Sequence, residues 1–326
     1  MKGMFEQNLR LSYLNISSFN TSQVEIMEDM FIGLMHVKNL DVSKFNTKNV
    51  KTMKNMFTLC QDLKYLDVSN FDTSNVIDMG GMFRYCDSLT SINVYNFDTS
   101  KVTDISFMFY HCNSLIYLNL SNFNTENVIE IRRMFERCES LKMLDISSFK
   151  VNKIKDFSFM FFFCTSLEYL DLSHFETNES RNMRAMFGSC ESLIYLNINN
   201  FDTSKVTEMG YMFTSLNSLT NINLQNFDTQ NVENMESLFS FSSNLTSIDL
   251  SFFNTTKVQN FENMFELCEG IKYLDLSSFN LLNGKRFEGM FYKCINLSII
   301  VNNNTKSINK FIENIPEYVI VNYIDK

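Results

Sequence analysis

Two rhythms of apolar residues alternate along this chain. In Leu63-Lys64-Tyr65-Leu66-Asp67-Val68-Ser69 every second residue is apolar around Tyr65 to Ser69, the period of a short strand with one buried face. After Phe71 come Asp72-Thr73-Ser74-Asn75, whose short polar side chains favour a turn or a helix N-cap. The period then lengthens. Val76, Met79, Met82, Phe83 and Cys86 fall at three- and four-residue intervals, which predicts a helix of about three turns burying those five side chains, with Gly80 and Gly81 on the opposite face. The segment therefore reads as strand, turn, short helix and return.

This paragraph of sequence is copied every 26 residues. The Met82-Phe83 pair recurs from Met4-Phe5 to Met290-Phe291, with Leu238 as its one substitution. A unit that cannot bury its own apolar face must stack on copies of itself, so about twelve 26-residue repeats predict an α/β solenoid. The expected form is a right-handed, leucine-rich-repeat-like coil, with a parallel sheet on one side and short helices on the other. The Phe71 position is Phe in every coil from Phe19 to Phe279, which predicts a ladder of stacked rings inside. Lys150-Val151-Asn152-Lys153-Ile154 and Glu176-Thr177-Asn178-Glu179-Ser180 replace the usual turn sequence, and Leu281 and Gly284 do so in coil eleven; altered turns are expected in coils six and seven.

The repeat assigns residues 1–300 to one solenoid, although a length of 326 residues alone would suggest two or three domains. Residues 301–326 lose the pattern and are expected to cap the core. The chain opens in the middle of a unit with no secretory leader, which points either to an intracellular protein or to the repeat portion of a longer one. No apolar run is long enough to span a membrane.

Composition narrows the chemistry. All eight cysteines, from Cys60 to Cys294, share one column on the apolar face, where other coils carry Asn8, Leu34, Leu216 or Ser242. They read as small buried hydrophobes in the thiol form, not as disulfides or a metal site, and unpaired thiols lean towards a reducing setting. His36, His111 and His174 lie in three different columns, no phosphate-binding glycine loop occurs, and no cofactor is called for; the expectation is that the protein is not an enzyme. A net charge of −9 without a basic stripe disfavours nucleic acid.

The exposed sheet face is the candidate site. Its tyrosine column includes Tyr65, Tyr117, Tyr169 and Tyr195, flanked by an Asx column with Asp67, Asn119, Asp171 and Asn197 and by a serine column. Together they could present rigid aromatic area and adaptable hydrogen bonds to a protein or glycan, or simply solvate the sheet with Asx side chains laddering to one another. A second patch, Tyr85, Phe107, Tyr110, Phe159, Phe162 and Phe163, puts aromatics where most coils are polar; it is either a contact site or a local enlargement of the core.

The unit Leu-x-x-Leu-Asp-Val-Ser-x-Phe-Asp-Thr-Ser-x-Val-x-x-Met-x-x-Met-Phe-x-x-Cys, from residue 63 to 86, resembles the BspA-type leucine-rich-repeat surface proteins, including the repeat of unknown function common in mycoplasma surface lipoproteins. The resemblance covers about residues 4–300. It implies a leucine-rich-repeat-like solenoid, a surface or secreted location and adhesion through host or matrix binding, with no binding residues to carry over. An intracellular, cytoplasmic protein–protein scaffold is the alternative.

Overall fold

The computed structural model describes residues 1–6, 8–302 and 308–324. The chain forms two compact units, one of Met1–Ile154 with Met160–Leu167 and one of Lys155–Phe159 with Glu168–Lys326. Each unit is a parallel β-solenoid. In the first, β1 (Tyr117–Asn119) pairs in parallel with β2 (Met143–Asp145), placing Tyr117 beside Met143. In the second, β3 (Tyr169–Asp171) pairs with β4 (Tyr195–Asn197), and β5 (Tyr273–Asp275), β6 (Ser298–Asn302) and β7 (Ile320–Ile324) form a parallel sheet in that order. Isolated parallel bridges add a second line of contact between coils, through Ile26, Thr52, Asp78, Asp104 and Glu130 in the first unit and from Asp156 to Arg286 in the second.

The helix expected over Val76–Cys86 is not formed. Among the described residues the one α-helix is α1, Ile308–Ile312. In place of a helix the backbone runs as a string of tight turns, and alternate amides leave the coil altogether. Met79, Gly81, Phe83 and Tyr85 donate their N–H groups to the carbonyls of Asp104, Ser106, Met108 and Tyr110 in the next coil at 2.8–2.9 Å, while Met82, Arg84 and Cys86 donate back to Met79, Gly81 and Phe83 at 3.0–3.2 Å. This path needs left-handed backbone at two positions per coil, met by Gly81 (φ 65°) and Tyr85 (φ 58°) and their counterparts in other coils. The physical reason is thickness. Phe57, Phe83 and Phe109 stack with centroids 5.8 and 5.5 Å apart, whereas a helix is about 10–12 Å across and cannot keep that rise.

The burial predicted from the pattern survives the change of conformation. Val76, Met79, Met82, Phe83 and Cys86 are all fully buried, because the turn ribbon directs inward the same three- and four-residue-spaced positions that a helical face would. The Phe71 column is buried, with Phe123 stacked on Phe149 and Phe175 on Phe201, both at 6.4 Å. The closer stack is the Phe of the Met-Phe pair, which runs at 5.5–6.1 Å from Phe5 to Phe161 in the first unit.

The altered turns expected in coils six and seven differ in their side chains and not in their backbone bond: Lys150 and Glu176 stand where Asp72 accepts the Ser74 N–H through Oδ1. Ile154 donates to the Val151 carbonyl at 3.0 Å and Ser180 to that of Thr177 at 2.8 Å, the same bond Val76 makes to Thr73 at 2.9 Å. Gly284 keeps this turn too, and its lack of a side chain makes room for the Phe287 ring, which a Cβ would meet at 2.2 Å. In the second unit Phe311 of α1 lies edge-on against Phe287 and Phe291, with centroids at 5.6 and 6.1 Å.

Candidate functional site

In the first unit Tyr65 bridges to Asn39 and Tyr117 opens β1; in the second Tyr169 and Tyr195 open β3 and β4. All four rings point to solvent, at 64%, 45%, 61% and 43% exposure, because strand alternation turns Leu66, Leu118 and Leu170 into the core beside them. The parallel register brings Tyr169 and Tyr195 together as a stacked pair, centroids 5.8 Å apart at 29°. Tyr65 and Tyr117 have no such partner ring, since Ser91 occupies the coil between them.

The Asx column has a local task. Asp67, Asn119 and Asp171 each accept, through Oδ1, the backbone N–H two residues on, from Ser69, Ser121 and Ser173 at 2.9–3.0 Å; Asn197 does the same for Asn199 at 3.3 Å. These Asx turns bend the chain out of the strand. The Ser69 hydroxyl and then its backbone N–H hold Asp67 below the usual carboxylate range; for Asp171 the Ser173 N–H leads, followed by its hydroxyl. Asx side chains touch across coils as well: Asn197 bonds Asp171, and Asn223 Nδ2 reaches Asn199 Oδ1 at 2.9 Å. One oxygen of each candidate Asx residue is therefore occupied before any ligand arrives, and the tyrosines are the freer half of the face.

The aromatic patch is assembled by the turn ribbon, not by a helix. In the first unit Tyr85 and Tyr110 meet edge to face at 5.1 Å, and Phe162 and Phe163 likewise at 4.5 Å. Phe159 belongs to the second unit, where its N–H donates to the Arg184 carbonyl. Sequence reasoning missed the arginines of this strip. Arg84 lies 5.0–5.2 Å from the ring centroids of Tyr85, Phe107 and Tyr110, Arg132 lies 5.3 Å from that of Phe107, and Arg137 lies 4.6 Å from that of Phe163. The 26-residue offset, which sets Arg84 beside Tyr110, was the available signal. Burial and the Tyr85 hydroxyl push Tyr110 up to about 12, so its ring is uncharged at neutral pH.

The cysteine column is buried and free of disulfides. Each thiol with a described partner donates to a backbone carbonyl 29 residues earlier, as Cys112 does to Phe83 at 3.1 Å, and Ser242 makes the same bond to Phe213 at 2.9 Å. Burial pushes Cys60 and Cys138 up to about 12 and Cys294 to about 11, which keeps them protonated and unreactive. No helix among the described residues is long and apolar enough to cross a membrane.

Among solved structures the chain is similar to a leucine-rich-repeat protein of Leptospira interrogans, at 14% identity over 89% of this chain and 79% of that one, with a TM-score of 0.29. It is also similar to the functional domain of InlJ from Listeria monocytogenes, which includes a cysteine ladder, at 16% identity over 94% of this chain and 62% of that one, with a TM-score of 0.27. Likeness at this level carries no functional argument. No curated protein matches in sequence. The family model described as "Mycoplasma protein of unknown function, DUF285" matches residues 1–115, 86–195 and 182–306, together most of the sequence, and the chain belongs to that family.

Proposed function

We propose that this chain is a non-enzymatic binding module of a surface or secreted protein of the BspA type, acting in adhesion through a host protein or glycan held on its exposed strands. In this reading about twelve right-handed coils form the scaffold, and residues 301–326, of which 303–307 and 325–326 lie outside the described residues, close its end. The observation that carries the proposal is the outward tyrosine row on a rigid ladder, where a ring costs little conformational entropy to immobilise on binding. Tyr65 and Tyr117 serve the first unit, Tyr169 and Tyr195 the second, with Asp67, Asn119, Asp171 and Asn197 offering their remaining polar atoms. The free, deeply buried thiols favour a second reading, an intracellular protein–protein scaffold in a reducing compartment.

The test is binding of the purified chain to immobilised matrix proteins and neutral glycans, beside two variants: Tyr65→Ser with Tyr117→Ser, and Tyr169→Ser with Tyr195→Ser. Loss of binding by a variant that melts like the parent supports the sheet-face reading. Undiminished binding by both variants overturns it, and binding by neither parent nor variant favours the scaffold.

A further inference from the structure

The turn strip of the first unit holds two guanidinium groups without a contact ion pair, although the buried Glu136 carboxylate lies near enough to Arg84 to feel its charge. Arg84 and Arg132 both lie over the Phe107 ring, at 5.1 and 5.3 Å from its centroid. Neither has a carboxylate at ion-pair distance among the described residues, whereas their neighbours Arg133 and Arg137 pair with Glu136 and Glu139 at 2.7 and 3.4 Å. Arg84 Nε is moreover buried with no acceptor, a condition that normally implies a missing partner. The surrounding rings, Tyr85 and Tyr110, hold the guanidinium in place without satisfying its N–H groups. Unpaired cations gathered on one strip are unexpected in a chain of net charge −9.

The class of anion follows from what surrounds them. The backbone of this strip is closed to a peptide strand, because the N–H groups of Met79, Gly81, Phe83 and Tyr85 are bonded to the next coil and those of Met82, Arg84 and Cys86 within their own turns. A phosphate at every residue of a nucleic acid would meet Asp87 and Glu139, and no basic stripe continues the patch. An acidic sugar avoids both conflicts. Its charges are spaced by neutral rings, its carboxylate matches the fork of an arginine, its apolar ring face suits an aromatic side chain, and its hydroxyls can donate to the flanking carboxylates. We propose that Arg84, Phe107 and Arg132 form a binding site for the carboxylate-bearing sugar units of an acidic glycan, on a strip of the first unit separate from the tyrosine row.

The experiment is calorimetric titration of the full chain with a hyaluronan decasaccharide, whose only anions are carboxylates, with a heparin decasaccharide, and with a neutral chitin oligomer. The expected result is saturable binding of hyaluronan that weakens with salt, is absent for chitin and falls at least about tenfold in Arg84→Gln/Arg132→Gln. A charge-matched control in the second unit, Lys257→Gln/Lys285→Gln, is expected to bind like the parent. Should the double arginine variant fail to fold, Arg132→Gln alone, at an exposed side chain, reads the same loss. Equal binding by parent and folded arginine variants, no binding of hyaluronan by the parent, loss of heparin and hyaluronan binding in the lysine control, or tighter binding of an oligothymidylate or a polyglutamate peptide would each overturn the proposal.

Discussion

Thr47 shows why a hydroxyl recurs at one position of nearly every unit. Its Oγ1 donates to the Asp72 carbonyl at 2.9 Å and accepts the Asp72 N–H at 2.8 Å, so one buried side chain satisfies both backbone groups of a residue in the next coil. Thr73, Thr99, Thr203, Thr229 and Thr255 repeat the donation at 2.9–3.1 Å. Thr47→Val keeps the volume but strands two buried polar groups, and chemical denaturation should show a loss of about 2–4 kcal/mol. The left-handed positions argue in the other direction. Ser215 sits at φ 55°, where an L-residue costs about 1–2 kcal/mol and a glycine nothing, and its hydroxyl makes no described bond. Ser215→Gly is expected to raise stability by about 1 kcal/mol, a gain that would not occur if the turn were helical.

At the scale of the element, ring columns and thiol column share the interior. Phe97, 2% exposed, should cost about 3–5 kcal/mol when changed to Ala, through lost transfer energy and a cavity, while Tyr117→Ala on the strand's outer face should change stability little. The reverse order would mean that the strand faces are assigned the wrong way round. The cysteines are packing residues held by weak S–H bonds to carbonyls, and Ser242 shows that an oxygen fits the same bond. All eight thiols should therefore resist a disulfide-exchange reagent in the native state at pH 8 and react together on unfolding; prompt reaction of any one would contradict its burial. In the arginine strip the amides from Met79 to Cys86 are taken up between coils or within their own turns, which leaves side chains as the means of recognition there.

For the whole molecule, the Asx turns and the thiols set opposite limbs of one pH profile. Asp41, Asp67, Asp72, Asp98, Asp171, Asp202 and Asp249 are held below the usual range by the backbone and side-chain groups of the serine two residues on. A depressed carboxylate stabilises the fold above its unfolded value of about 3.9, and that stability is lost as pH falls through the lower folded value. Asp78 and Glu136, raised by burial, act in the contrary sense but are fewer. The thiols of Cys60, Cys138 and Cys294 are raised to about 12, 12 and 11, so their contribution is complete below the unfolded value of about 8.5 and declines as pH rises from there towards the folded values. Thermal melts should show a plateau from about pH 5 to 8, with a fall on the acid side and another above about pH 9. An acid limb that stays flat would show that the Asx turns are not formed.

The sequence by itself determined the 26-residue period, the residues that lie inside and the free state of the cysteines, because burial follows from which positions repeat as apolar and needs no knowledge of backbone path. It also determined the outward tyrosines, since period-two alternation has one solution once Leu66 is inside. It could not tell a helix from a turn ribbon over Val76–Cys86, because both bury the same five side chains. Only stacking decides between them: a coil must be thin enough to let Phe83 lie on Phe109, and its amides must then bond to the neighbouring coil instead of along a helix axis. The same choice set Arg84 and Arg132 on the two sides of Phe107 in sequence and against one ring in space, a juxtaposition that exists only when successive coils lie one ring apart.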